Sequence, residues 1–196
     1  MMLQWSVKKI ELSEGVMQNK KNIVLIGMPG AGKSTVGIVL AKKMSMDFID
    51  TDVLIQLKEG RSLQEIVDHD GYLVLRSIEE QVLLGLLCTN SVIATGGSAV
   101  YSDLAMRSLR NNAFCIFLDV PCEVLLSRVR NYATRGLAKR SGQSFAELFV
   151  ERYDLYRKYA DLIIDCSCLS QDEVCDEIEK HYFKKNTIQL QPKAQR

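Results

Sequence analysis

Five short runs rich in β-branched and large apolar residues, at 23–27, 48–50, 92–94, 114–118 and 162–165, alternate with stretches in which apolar residues recur at helical spacing. That alternation predicts an α/β chain whose parallel five-stranded sheet lies between two helical layers. Over 34–44, Val36, Val39 and Leu40 share one face of a predicted helix. Gly60 and Gly71 punctuate the next stretch, predicting helices over 53–59, 63–68 and 72–87. Ser170 and Glu173 form a capping-box pair ahead of a last helix expected to end near Phe183.

These boundaries predict one domain over 23–183, preceded by a poorly ordered extension at 1–22 and followed by a polar tail at 184–196. The extension lacks the apolar stretch and small-residue cleavage site of a secretory leader. Residues 135–144, RGLAKRSGQS, are basic and rich in glycine and serine between two helical patterns. They read as a surface loop or as a mobile lid over about 131–144.

Charge narrows the range of partners. With 25 basic and 24 acidic side chains among 196 residues, the chain has no electrostatic footprint for nucleic acid. No apolar run approaches the ~20 residues that span a bilayer, so no membrane partner is expected. Six cysteines without a CxxC pair read as reduced thiols of a cytoplasmic protein, expected to be a monomer. His69 and His181 are isolated and have no metal-ligand spacing.

The strongest local signal is Gly27-Met-Pro-Gly-Ala-Gly-Lys33-Ser34, which fits the phosphate loop G-x-x-x-x-G-K-[ST] between a predicted strand and a predicted helix. Backbone N–H groups through Gly30, Ala31, Gly32, Lys33, Ser34 and Thr35 can face phosphate oxygens, helped by the positive end of the helix. Lys33 is expected to reach the β and γ phosphates of ATP, and the Ser34 hydroxyl to ligate Mg²⁺.

A phosphate loop does not name the acceptor. Asp50 and Asp52, two apart in an extended segment, are expected to project together from the carboxyl end of the sheet. One suits the hydration shell of Mg²⁺ and the other can orient an acceptor hydroxyl; alternatively, both serve a turn and a helix N-cap. Arg76 and Arg152 either pair with acids on solvated faces or grip a substrate carboxylate. The run 92–100, VIATGGSAV, surrenders two side chains at Gly96 and Gly97, where bare backbone can approach a ligand.

Taken together, GMPGAGKST, the DTD at 50–52, Arg76 with Ile78 and Glu79, ATGG at 94–97, the basic lid and Glu151-Arg152 with Leu155-Tyr156 and Tyr159-Ala160-Asp161 resemble the shikimate kinase family over roughly 23–165. The resemblance implies a nucleoside-monophosphate-kinase-like P-loop fold with a lid, and Mg²⁺-dependent transfer of the ATP γ-phosphoryl group to the 3-hydroxyl of shikimate. It implies that Asp52 contacts the shikimate hydroxyls, that Arg76 and Arg152 hold the carboxylate, and that Gly96 and Gly97 line the acceptor. Asp50 then reaches Mg²⁺ through water, Arg135 swings in with the lid, and Arg128 stacks on adenine. Two positions depart from the family pattern: Ser98 stands where a third glycine is typical, and Gly136 where proline is typical. Alternatives are a kinase of the same fold acting on another hydroxylated carboxylic acid, and a nucleotide-binding regulator without catalysis.

Overall fold

The computed structural model describes residues 21–128 and 136–188. Five parallel strands form one sheet: β1 (Asn22–Ile26), β2 (Asp47–Asp50), β3 (Ser91–Ala94), β4 (Ala113–Asp119) and β5 (Leu162–Asp165), in the order β2-β3-β1-β4-β5. Register is continuous across the sheet, with Val24 opposite both Ile93 and Cys115. β1 and β3 are buried at every residue, as expected of strands covered on both faces. This is why they read as unbroken apolar runs and not as alternating ones.

Eight α-helices connect and cover the strands among the described residues: α1 (Lys33–Met44), α2 (Thr51–Glu59), α3 (Leu63–Asp70), α4 (Tyr72–Leu84), α5 (Asp103–Asn112), α6 (Cys122–Arg128), α7 (Phe145–Tyr159) and α8 (Gln171–Ile188). None is long and apolar enough to cross a membrane. The main core joins the sheet to α1, α5, α7 and α8. A smaller cluster of Ile55, Ile66, Leu75, Ile78 and Ala138 holds α2, α3 and α4 together, and Ala138, within the predicted lid, packs into it.

Several predicted boundaries move, each for a local reason. The helix expected at 53 begins at Thr51, because Asp50 Oδ1 accepts from the N–H groups of Asp52 (3.0 Å) and Val53 (3.4 Å) and caps it. Asp50 and Asp52 are therefore not an extended pair: one ends β2 and the other lies in the first turn of α2. The helix expected to reach residue 87 stops at Leu84, where the Gly85 N–H donates to Gln81 O. α8 runs through Ile188, so the first residues of the predicted polar tail are helical. The capping box read at Ser170 and Glu173 is formed, and Ser144 with Glu147 forms another ahead of α7. Residues 1–20 of the predicted extension, 129–135 including Arg135, and 189–196 of the tail lie outside the described residues.

Candidate active site

The phosphate loop leaves β1 at the carboxyl edge of the sheet and feeds α1. Its backbone passes through positive φ at Gly30 (86°) and Gly32 (93°). Lys33 is only 8% exposed and curls back over the loop, donating from Nζ to Gly27 O (2.8 Å) and Met28 O (3.0 Å). Burial lowers its pKa to about 8 against the pull of Asp52. These carbonyl contacts mark a cation held over the loop, where an arriving phosphate oxygen can take their place.

The Ser34 hydroxyl donates to Asp50 Oδ2 at 2.6 Å, so the loop and the end of β2 meet. A hydroxyl and a carboxylate oxygen at this separation are hard donors, and Mg²⁺ needs only one or two such protein groups when phosphates and water supply the rest. The residues present therefore fit Mg²⁺. Asp52, in the first turn of α2, is half-buried, and desolvation raises its pKa against the attraction of Lys33.

Across from the loop, the chain leaves β3 at the second glycine pair. A Cβ on Gly96 would collide with Glu79 Oε1 and come within 2.6 Å of Asp52 Oδ1; one on Gly97 would lie 2.8 Å from Arg152 Nη1 and 2.9 Å from Pro29 Cδ. Neither position has room for a side chain. The backbone here is pinned by neighbours that sequence reasoning gave no role: the Gly96 N–H donates to Thr51 Oγ1 (3.0 Å), and the Tyr156 hydroxyl donates to Gly97 O (2.7 Å).

The two arginines meet on one atom. Arg76 Nη2 and Arg152 Nη2 donate to Ala138 O at 3.0 and 2.9 Å. Both guanidinium groups also lie over the Tyr101 ring, at 3.5 and 5.3 Å from its centroid. The Tyr101 hydroxyl donates to Glu151 Oε1 (2.6 Å), and this bond, more than any other contact, holds the Glu151 carboxyl down at about 2. Neither Arg76 nor Arg152 forms an ion pair with an acid among the described residues. Arg152 is nevertheless 1% exposed.

A cavity of about 390 Å³ gathers most of the predicted residues: Gly30, Gly32, Lys33, Ser34, Thr35, Asp52, Gly96, Gly97, Arg128 and Arg152 all line it. Ala31 is buried behind the loop and Asp50 sits behind Ser34, so neither lines it. Arg76 borders a neighbouring cavity of about 290 Å³ with Glu79, Ser98 and Tyr101. Gly136 borders the main cavity at φ 59°, and its N–H donates to Gln64 Oε1 at 2.7 Å. Proline, with φ fixed near −65° and no N–H, cannot occupy that position as built, which accounts for this departure from the family pattern.

Glu79 is the residue whose place the sequence signalled without revealing. It is 2% exposed on α4, it receives the Ser98 hydroxyl on Oε2, and burial raises its pKa to about 7. The available signal was an acid among the apolar positions of a helix, three residues after Arg76.

A family model described as shikimate kinase matches residues 29–182, which takes in the phosphate loop from Pro29 onward, both arginines and the second glycine pair. The chain belongs to the shikimate kinase family. It is 37% identical over 163 residues to a shikimate kinase of Clostridium botulinum (strain Eklund 17B / Type B), a match covering 82% of this chain and 96% of that one. Among solved structures, a shikimate kinase from Acinetobacter baumannii in complex with shikimate aligns with TM-score 0.77 and 28% identity over 86% of this chain and 96% of that one. The shikimate kinase from Aquifex aeolicus vf5 aligns with TM-score 0.70 and 32% identity over 85% and 98%. The predicted P-loop α/β fold and the family resemblance both stand.

Proposed function

We propose that this chain transfers the γ-phosphoryl group of ATP to the 3-hydroxyl of shikimate, giving shikimate 3-phosphate and ADP on the route to chorismate and the aromatic amino acids. One observation carries the reading: two arginines that form no ion pair among the described residues converge on Ala138 O, Arg152 lining the cavity that begins at the phosphate loop and includes Asp52, Gly96 and Gly97, and Arg76 bordering the adjoining cavity. A carboxylated, hydroxylated acceptor supplies the anion that such a pair lacks.

In this mechanism the phosphate loop and Lys33 cradle the β and γ phosphates. The Ser34 hydroxyl and, through water, Asp50 would hold Mg²⁺, which would supply neutralising charge. Arg76 and Arg152 exchange the Ala138 carbonyl for the shikimate carboxylate, which fixes the ring. Asp52 accepts a hydrogen bond from the attacking hydroxyl and aligns it with the γ-phosphorus. The bond from phosphorus to the bridging oxygen breaks with its electron pair leaving on ADP, the new O–P bond forms, and the hydroxyl proton passes by way of Asp52 to solvent. Positioning and charge stabilisation do most of the work in phosphoryl transfer. Arg128, which borders the cavity, is the proposed adenine-stacking group; the role that the resemblance gives Arg135 falls on a residue outside the described ones. The enzyme acts as a monomer in the cytoplasm, without nucleic acid or membrane partners; its free cysteines suit that compartment.

The test is release of ADP from Mg·ATP with shikimate, gluconate and related hydroxy acids, repeated for Asp52→Asn. Turnover with shikimate that falls about a hundred- to ten-thousandfold in the variant, with ATP binding retained, supports the reading. Turnover of a different acid in place of shikimate, or a fully active variant, refutes it.

A further inference from the structure

Two guanidinium groups that donate to one carbonyl oxygen bring like charges to close quarters. Arg76 Nη2 and Arg152 Nη2 meet in this way on Ala138 O, and burial, with the charge of Arg152 added to it, lowers the pKa of Arg76. Acids do not resolve the conflict. Glu79 attracts Arg152 without forming an ion pair with it. Glu151, next to Arg152 in the chain, commits both oxygens elsewhere: Oε1 accepts from the Tyr101 hydroxyl at 2.6 Å, and Oε2 accepts from Arg140 Nη2 at 2.6 Å and Gln143 Nε2 at 2.7 Å. The group that both cations share is Tyr101. Its ring centroid lies 3.5 Å from Arg76 Cζ and 5.3 Å from Arg152 Cζ, and its hydroxyl accepts from Arg152 Nε at 3.4 Å. Tyr72, one turn before Arg76 on α4, adds a second ring at 5.0 Å.

We propose that Tyr101 is a positioning residue of the acceptor site, whose ring face holds Arg76 and Arg152 side by side and preorganised for the substrate carboxylate. The negative face of an aromatic ring attracts a cation without taking up its N–H groups, so a guanidinium held there keeps its donors for an arriving anion. A carboxylate in the same place would occupy those donors. Glu151, itself anchored by Arg140 and Gln143, fixes the ring through the hydroxyl. When the substrate carboxylate replaces the Ala138 carbonyl, the ring keeps the two cations together, and less side-chain freedom is lost on binding. Tyr101 lies outside every motif that carries the family resemblance, and it does not line the cavity of the phosphate loop. Its influence therefore falls on the acceptor and not on ATP.

The inference rests on shikimate as acceptor, and its test weakens the ring face while nearly keeping the ring's shape. Tyr101→Phe, which loses only the hydroxyl, sets the reference, and mono-, tri- and pentafluorinated phenylalanines are then placed at the same position. Fluorine withdraws electron density from the ring face, so the attraction for a cation falls stepwise along the series. Relative to Tyr101→Phe, KM for shikimate rises with each step and reaches about tenfold for the pentafluorinated ring, while kcat and KM for ATP change less than about twofold. In an Arg76→Ala background, which removes the cation nearest the ring, the same series raises KM for shikimate less than about threefold. A flat or falling shikimate KM along the series, an equal rise in both backgrounds, or a parallel loss for ATP and shikimate overturns the proposal and leaves the acceptor standing. A parent enzyme without shikimate turnover refutes the acceptor itself and takes the inference with it.

Discussion

Ser34 and Asp50 lie in direct contact, the serine hydroxyl donating to Oδ2 at 2.6 Å, while the other oxygen of the same carboxylate caps α2. One side chain therefore caps α2 and also meets the serine that the proposed mechanism gives to Mg²⁺, two uses that the sequence offered as alternatives. They separate experimentally because asparagine caps helices about as well as aspartate but carries no charge. Asp50→Asn is expected to keep the thermal midpoint of the parent and to raise the Mg²⁺ concentration needed for half-maximal turnover by about tenfold. Asp50→Ala adds a loss of stability of about 1 kcal/mol. Thermal melts and Mg²⁺ titrations of both variants check this.

Gly96 has no room for a methyl group between Glu79 and Asp52. Gly96→Ala is expected to abolish measurable shikimate turnover and to cost roughly 1–3 kcal/mol of stability by overpacking. ATP affinity, set across the cavity, stays close to the parent value; calorimetry with ATP alone distinguishes a filled acceptor pocket from a collapsed site.

Stability of the unliganded protein should carry a signature of Glu79. Burial, reinforced by the charge of Asp52, raises its pKa from 4.5 to about 7. A carboxyl raised in the folded state holds its proton there at pH values where the unfolded chain has released it. Its contribution is complete below pH 4.5 and is lost as pH rises through about 7. The full span is on the order of 3 kcal/mol, from 1.36 kcal/mol per pKa unit. Glu79→Gln is expected to flatten the decline in urea midpoint between pH 5 and 7.5; an unchanged slope contradicts the assignment.

The sequence disclosed what local rules determine. β1 and β3 were legible because burial on both faces makes a strand uniformly apolar, and the phosphate loop because its glycines and lysine act within eight consecutive residues. What stayed hidden depends on contacts between distant residues. Ala138 meets Arg76 across 62 positions, Tyr156 meets Gly97 across 59, and Gly96 meets Thr51 across 45. Asp50 and Asp52 were placed together for the wrong reason, since side-chain capping by Asp50 started the helix earlier than periodicity indicated. Arg76 was expected at the acceptor, yet no spacing rule predicts that its guanidinium would lie on Tyr101 beside a second cavity.

The central claim is that Arg76 and Arg152 form an anion clamp for the acceptor of a phosphoryl group. Its most direct test is the rate of ADP formation from Mg·ATP as shikimate is titrated, for the full chain and for Arg76→Ala. The account predicts saturable, shikimate-dependent turnover whose KM for shikimate rises about 10- to 100-fold in the variant, the cost of a lost charge-assisted contact, with KM for ATP unchanged. Turnover that is independent of shikimate, or a variant with the shikimate KM of the parent, would contradict it.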